Sequence, residues 1–217
     1  LCDRRQRQMC IRDRYGLIVQ LLGRDLSYGV EDPGYPKAGK VYGLHGARCV
    51  PLALDEGGVP VEAVERSGVQ VVHLSPSHQF PSGAVMPIAR RQSLLRWAEE
   101  APGRYLIEDD YDSEFRFTGR PIPAMKSIDA AGRVIYMNTF SRSLAPSLRI
   151  SYMVLPPALL ERYQRTLGFY SCTVPAIEQY TLARFLSEGY FETHVNRMRG
   201  FYPVSYTHLR AHETDSY

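Results

Sequence analysis

The feature that most constrains this chain is its strict alternation of short apolar runs with helical segments. Val69-Gln70-Val71-Val72-His73-Leu74 is a nearly continuous apolar run, too short for a long helix. A run of that kind suits a strand covered on both faces. Further strands are expected at Ser27-Tyr28-Gly29-Val30-Glu31, Cys49–Leu54, Tyr105-Leu106-Ile107, Arg133–Met137 and Ile150–Leu155. Between them the sequence reads as helix: the apolar stretch Leu17–Leu22 closed by Gly23, the residues from Pro36 to about His45, Val59–Ser67, and Pro87–Glu99 with Leu94, Leu95, Trp97 and Ala98 as core candidates. From Pro156 onward the pattern is mainly helical, through Phe169, Ala176–Glu188 and Phe191–Met198. Strands alternating with helices imply right-handed βαβ units. The expected class is α/β, a three-layer α/β/α sandwich with a mostly parallel sheet.

In such sheets ligands collect beyond the carboxyl ends of the strands. Three unusually polar segments follow strands directly: Ser75-Pro76-Ser77-His78-Gln79-Phe80-Pro81-Ser82-Gly83, then Glu108-Asp109-Asp110-Tyr111-Asp112, then Thr139-Phe140-Ser141-Arg142-Ser143. That placement favours one shared site. Asp109, at the end of an apolar strand, is costly to bury without a partner. A pyridinium ring is one suitable partner; a metal ion or a solvated acidic turn are the alternatives. Thr139 to Arg149 offers hydroxyls, backbone N–H groups and a guanidinium, which suit a phosphate; a serine-rich turn with a surface arginine is the plainer reading. Tyr35 follows the Pro33-Gly34 turn signal and is placed either to lie on a planar ligand or to pack under a loop.

Composition narrows the class further. The chain has 217 residues, enough for one sizeable core, and a net charge of only +3. Arg4, Arg5, Arg7, Arg12 and Arg14 against Asp3 and Asp13 put that whole surplus in the first 14 residues. No polyanion-binding surface is therefore expected from the rest. Cys2, Cys10, Cys49 and Cys172 lack metal or redox spacing, which suits a reducing, cytoplasmic setting. No apolar run approaches the ~18 residues of a membrane span. The ends differ from the body: QMCIRDR near the start and PVSYTHLRAHETDSY at the close resemble translated sequencing-adapter read-through. Residues 1–14 and 203–217 are accordingly expected to be non-native tails around a body at 15–202.

Four segments occur in order: EDPGYP, SPSHQFPSG, IEDDYDSEF and TFSxSLxPxLRISYMVLP. In that order and spacing the body resembles the MocR-type regulators, bacterial proteins that join a winged-helix DNA-binding domain to a fold-type-I aminotransferase-like domain. The resemblance implies a truncated large domain that binds pyridoxal 5'-phosphate (PLP), followed by helices leading to a small domain outside this chain. It also implies a homodimer, an amino acid or amine ligand, and DNA contact only through a winged helix that the chain does not contain. By resemblance, Asp109 pairs with the ring nitrogen and Tyr111 with the ring oxygen, Tyr35 lies near the ring, and Thr139, Ser141 and Arg149 face the phosphate. His78 and Gln79 occupy the loop that carries an asparagine in the wider superfamily.

One position departs from the pattern. The family motif has lysine where this chain has Arg142, and Lys37, Lys40 and Lys126 are the chain's lysines, none of them in the motif. A guanidinium stays protonated at neutral pH and is a poor nucleophile toward an aldehyde. Covalent anchoring of PLP and transamination are therefore not expected of this chain. The functional expectation is a ligand-sensing domain of a transcription regulator. A PLP-dependent aminotransferase and a catalytically silent domain are the alternatives.

Overall fold

The computed structural model describes residues 6–9, 11–112, 114, 122–145 and 147–200. Seven strands form a single sheet: β1 (Gln6–Met9), β2 (Ser27–Asp32), β3 (Arg48–Ala53), β4 (Val71–Leu74), β5 (Tyr105–Asp109), β6 (Val134–Thr139) and β7 (Ser151–Val154). Their order across the sheet is β1-β7-β6-β5-β4-β2-β3. The five strands from β6 to β3 are mutually parallel; β7 pairs antiparallel with β6, and β1 antiparallel with β7. Every strand expected from the sequence is present, with ends shifted by one or two residues.

Both faces of the parallel part are buried, and the side-chain alternation of a strand divides each one between two cores. Val71, Ile107 and Ile135 enter one apolar cluster, with helices α1 (Ile11–Leu22), α2 (Pro36–Leu44) and α6 (Pro157–Thr166). Their chain neighbours Val72, Leu106 and Val134 enter the other, with α3 (Val61–Ser67) and α4 (Ile88–Glu99). This is the three-layer arrangement that the continuous apolar runs imply. A third, smaller cluster joins Phe140, Ile150 and Val174 to Leu182 of α7 (Ala176–Ser187), and helix continues over 190–200.

The sequence reading left residues 1–14 outside the fold. The structure instead pairs Gln6–Met9 with β7 and starts α1 at Ile11. Arg14 is fully buried there, and its Nη1 donates to the Asn138 and Tyr152 carbonyls at 2.9 and 3.3 Å. Its Nε and Nη2 are buried without a partner among the described residues. The expected tail at 203–217 and residues 1–5 lie outside the described residues, as do Ser113, Phe115 and Pro146 of the motifs.

Two polar devices set the loops that the site needs. Arg91 of α4 is fully buried and donates to the carbonyls of Pro76, Met86 and Pro123 at 2.7, 3.1 and 3.0 Å, with Glu108 at 3.9 Å. Glu108 in turn accepts from the backbone N–H groups of Met125 and Lys126. Gly34 sits where a Cβ would collide with the Glu31 carbonyl, so the turn presenting Tyr35 requires glycine.

Candidate functional site

The loops after β2, β4, β5 and β6 converge at the carboxyl edge of the sheet around a cavity of about 260 Å³. This is where an open parallel sheet places its ligands. Six of the residues expected from the sequence line it: Tyr35, Asp109, Tyr111, Thr139, Ser141 and Arg142. Tyr15, His73, Ser75 and Phe80 complete the wall.

Asp109 is the last residue of β5 and is buried. Its two oxygens differ. Oδ2 accepts from the Tyr15 hydroxyl at 2.9 Å and faces His73 Nε2 at 3.5 Å. Oδ1 is buried and has no partner among the described residues. Burial alone would raise the pKa of this carboxyl, but the His73 hydrogen bond, the Arg14 charge and the Tyr15 hydroxyl together hold it below the usual carboxylate range. His73 is oriented from behind, because its Nδ1 lies 2.8 Å from the Tyr42 hydroxyl. Burial, with the Asp109 charge next, pushes the pKa of both Tyr15 and Tyr42 well up, so both remain neutral donors. The outcome is an ionised carboxylate with one oxygen held by protein and one left for a donor on a ligand. A protonated ring nitrogen fits that vacancy; a metal ion would want more ligands, and no group of three or more His, Cys, Asp or Glu is placed to hold one among the described residues.

Tyr111 forms a side wall. The His78 ring stacks with it at a centroid distance of 6.0 Å and an interplanar angle of 22°, and the Arg142 guanidinium carbon lies 5.1 Å from its centroid. Burial first, and the neighbouring Asp112 next, push its hydroxyl up to about 12, which keeps it a donor at neutral pH. Asp112 Oδ2 receives both His78 Nδ1 at 2.6 Å and Arg142 Nη1 at 3.1 Å. The Arg142 side chain remains 59% exposed at the cavity mouth.

At the opposite end, Thr139 caps the short helix α5 (Phe140–Ser143), its Oγ1 accepting from the Ser141 N–H at 3.3 Å. The Ser141 hydroxyl donates to the Leu148 carbonyl at 2.8 Å. Tyr35 and Phe80 meet edge to face at 6.5 Å and close the aromatic side of the cavity.

Three expected residues do not line the cavity. Gln79 is buried and works as a brace: Nε2 donates to the carbonyls of Pro33 and Phe80, and Oε1 accepts from Ser82. It ties the loop after β4 to the loop after β2, which leaves the next residue, Phe80, to face the cavity. His78 stands behind Tyr111, and Arg149 is exposed outside the lining. Of the residues that sequence reasoning missed, His73 carried a signal, a lone imidazole in an otherwise apolar buried strand. Tyr15 and Ser75 carried none that separates them from ordinary packing.

Comparison with known proteins accords with this geometry. No protein-family model matches the chain. The HTH-type transcriptional regulator YdeL of Bacillus subtilis is 44% identical over 186 residues, which is 86% of this chain and 40% of the relative. The probable rhizopine catabolism regulatory protein MocR of Rhizobium meliloti is 42% identical over 173 residues, 80% of this chain and 35% of the relative. Among solved structures, the kynurenine aminotransferase of Pyrococcus horikoshii superposes with a TM-score of 0.80 at 30% identity, covering 92% of this chain and 52% of that one. The chain thus spans about two fifths of the length of the curated relatives it matches. It has the large-domain fold of the fold-type-I aminotransferases, and over the span it matches it is homologous to the MocR-type regulators.

Proposed function

We propose that this chain is the PLP-binding effector part of a MocR-type regulator, and that occupancy of its cavity by cofactor and an amino acid or amine is the signal the regulator reads. The observation that carries the reading is Asp109. A buried, ionised carboxylate on a cavity wall that keeps one oxygen without a partner among the described residues calls for a ligand donor. When bound, PLP supplies an electron-accepting ring and an aldehyde. The chain's own residues bind and orient it. Asp109 Oδ1 holds the proton on the ring nitrogen, the neutral Tyr111 hydroxyl donates toward the ring oxygen, and Tyr35 with Phe80 shields the ring from water. Thr139 and Ser141, with Arg149 nearby in sequence, take the phosphate side.

Arg142 argues against the aminotransferase reading, because a permanent cation neither attacks an aldehyde nor shuttles a proton at neutral pH. Binding is therefore reversible and turnover is not part of the signal. The full-length regulator is proposed to be a homodimer that reaches DNA through a separate domain, in a cytoplasmic setting. None of the described helices is long and apolar enough to cross a membrane. The two chain ends are proposed to be foreign to the natural protein.

The test is a titration of the chain with pyridoxamine 5'-phosphate (PMP), followed by quenching of cofactor fluorescence. Saturable binding of one equivalent is expected. Absence of saturable binding by a folded chain overturns the proposal.

A further inference from the structure

Among the residues lining the cavity, Arg142 is the one permanent cation and Asp109 the one carboxylate. They are satisfied differently. Asp109 is buried and fixed by Tyr15 and His73. Arg142 stands at the mouth, largely exposed, and among the described residues only its Nη1 makes a hydrogen bond, to Asp112. The guanidinium carries five donors in a planar fork, so Nε and Nη2 remain to meet a second carboxylate.

Drawing a guanidinium away from a buried acid ordinarily strands the acid. Here Asp112 keeps His78 on the same oxygen at 2.6 Å. The Arg142–Asp112 pair can therefore loosen without leaving Asp112 unpartnered. The Tyr111 ring, 5.1 Å from the guanidinium carbon, gives Arg142 a platform that does not depend on Asp112. Asp109 and Arg142 line the same cavity, so a ligand with a ring donor at one end and a carboxylate at the other has a partner for each.

The geometry points to Arg142 as a carboxylate clamp, so that the cavity selects a cofactor already joined to an amino acid over the same cofactor joined to a simple amine. This rests on the cofactor reading above. It makes the substituted position a specificity determinant: where a lysine would bond the cofactor, the arginine reads the amino acid attached to it.

A matched pair of reduced adducts isolates the carboxylate. Phosphopyridoxyl-L-leucine and phosphopyridoxyl-isoamylamine differ by that group alone. For the unmodified chain the leucine adduct is expected to bind roughly fivefold to tenfold tighter, a partly exposed charge-assisted contact being worth about that much. Arg142→Gln brings the ratio near unity, and Asp112→Asn, which frees the guanidinium, widens it. The opposite directions separate the clamp from general damage, and thermal melts of both variants check folding. Equal affinities in the unmodified chain, or a ratio that survives Arg142→Gln, overturn the clamp. If PMP and both adducts bind alike, the cofactor reading stands and the clamp falls. If none of the three binds, both fall.

Discussion

Replacing Asp109 with asparagine inverts the polarity of a single atom in the cavity wall while keeping the shape of the side chain. The retained amide oxygen takes the place of Oδ2 and still accepts from Tyr15, at 2.9 Å in the parent, and from His73. The amide nitrogen then takes the place of Oδ1, the oxygen with no partner among the described residues. A ligand N–H that met an acceptor now meets a donor. Because the acceptor in the parent is an ionised, buried carboxylate, the lost contact is charge-assisted and worth about 1.5–3 kcal/mol. That corresponds to about 10- to 150-fold in affinity for PMP. The melting temperature should move little, since the protein donors around Oδ2 keep their acceptor. The assay is a fluorescence titration of parent and variant with PMP, and with an analogue whose ring nitrogen is replaced by carbon. The variant should lose affinity for PMP alone and bind the carbon analogue as the parent does. Equal PMP affinity in parent and variant would refute the assignment of Oδ1 to a ring donor.

Arg142→Lys is expected to restore a nucleophilic amine at the cavity mouth; with PLP, borohydride should then fix the cofactor on the peptide spanning position 142, whereas the parent peptide stays unlabelled by mass spectrometry. Arg91→Ala removes a fully buried guanidinium that holds three carbonyls, and should cost about 3–5 kcal/mol in denaturant unfolding, because it leaves the carbonyls of Pro76, Met86 and Pro123 without their donor and takes a counter-charge from Glu108. The Glu108 carboxyl is raised above 4.5 by burial, partly offset by the Lys126 and Met125 backbone donors. A carboxyl raised in the folded state favours folding below its unfolded pKa, and that contribution is lost as pH rises through the folded value. Melting temperature should therefore climb as pH falls from neutral toward 4.5, and Glu108→Gln should flatten part of that climb; Glu31 and Glu114, also raised by burial, supply the remainder. Gly34→Ala should weaken PMP binding, since the added Cβ pushes against the Glu31 carbonyl and displaces Tyr35.

The sheet was legible because its strands are buried on both faces, which writes them into the sequence as unbroken apolar runs such as Val69–Leu74. The site was legible where its residues end those runs, as Asp109 and Thr139 do. It was not legible where the chain folds back from a distance. His73 reaches Asp109 from the neighbouring strand, and Tyr42 supports it from a helix 31 residues earlier. The loop after β4 lines the cavity through Ser75 and Phe80, not through the His78 and Gln79 that the sequence reading named. Gln79 turns inward to brace the chain, which brings Phe80 rather than His78 or Gln79 to the cavity. Amide bonding of that kind depends on the carbonyl of Pro33, far off in sequence. Only Leu17–Leu22 of the first helix was legible, because residues 1–14 were set aside for their composition, whereas the structure starts α1 at Ile11.

The Gln79 brace has a consequence for how occupancy of the cavity is transmitted. By tying the loops after β2 and β4 together it makes Tyr35 and Phe80 one stiff jaw. The facing jaw is built otherwise. Arg142 and Ser143 ride on α5, whose Ser143 carbonyl meets His194 Nε2 at 3.0 Å and whose Phe140 packs edge to face on Phe191 at 5.8 Å. Both partners belong to the helix over 190–200. A ligand that bridges the two walls therefore touches, through α5, the helix at the carboxyl end of the described chain, whereas the first wall is tied between the loops after β2 and β4.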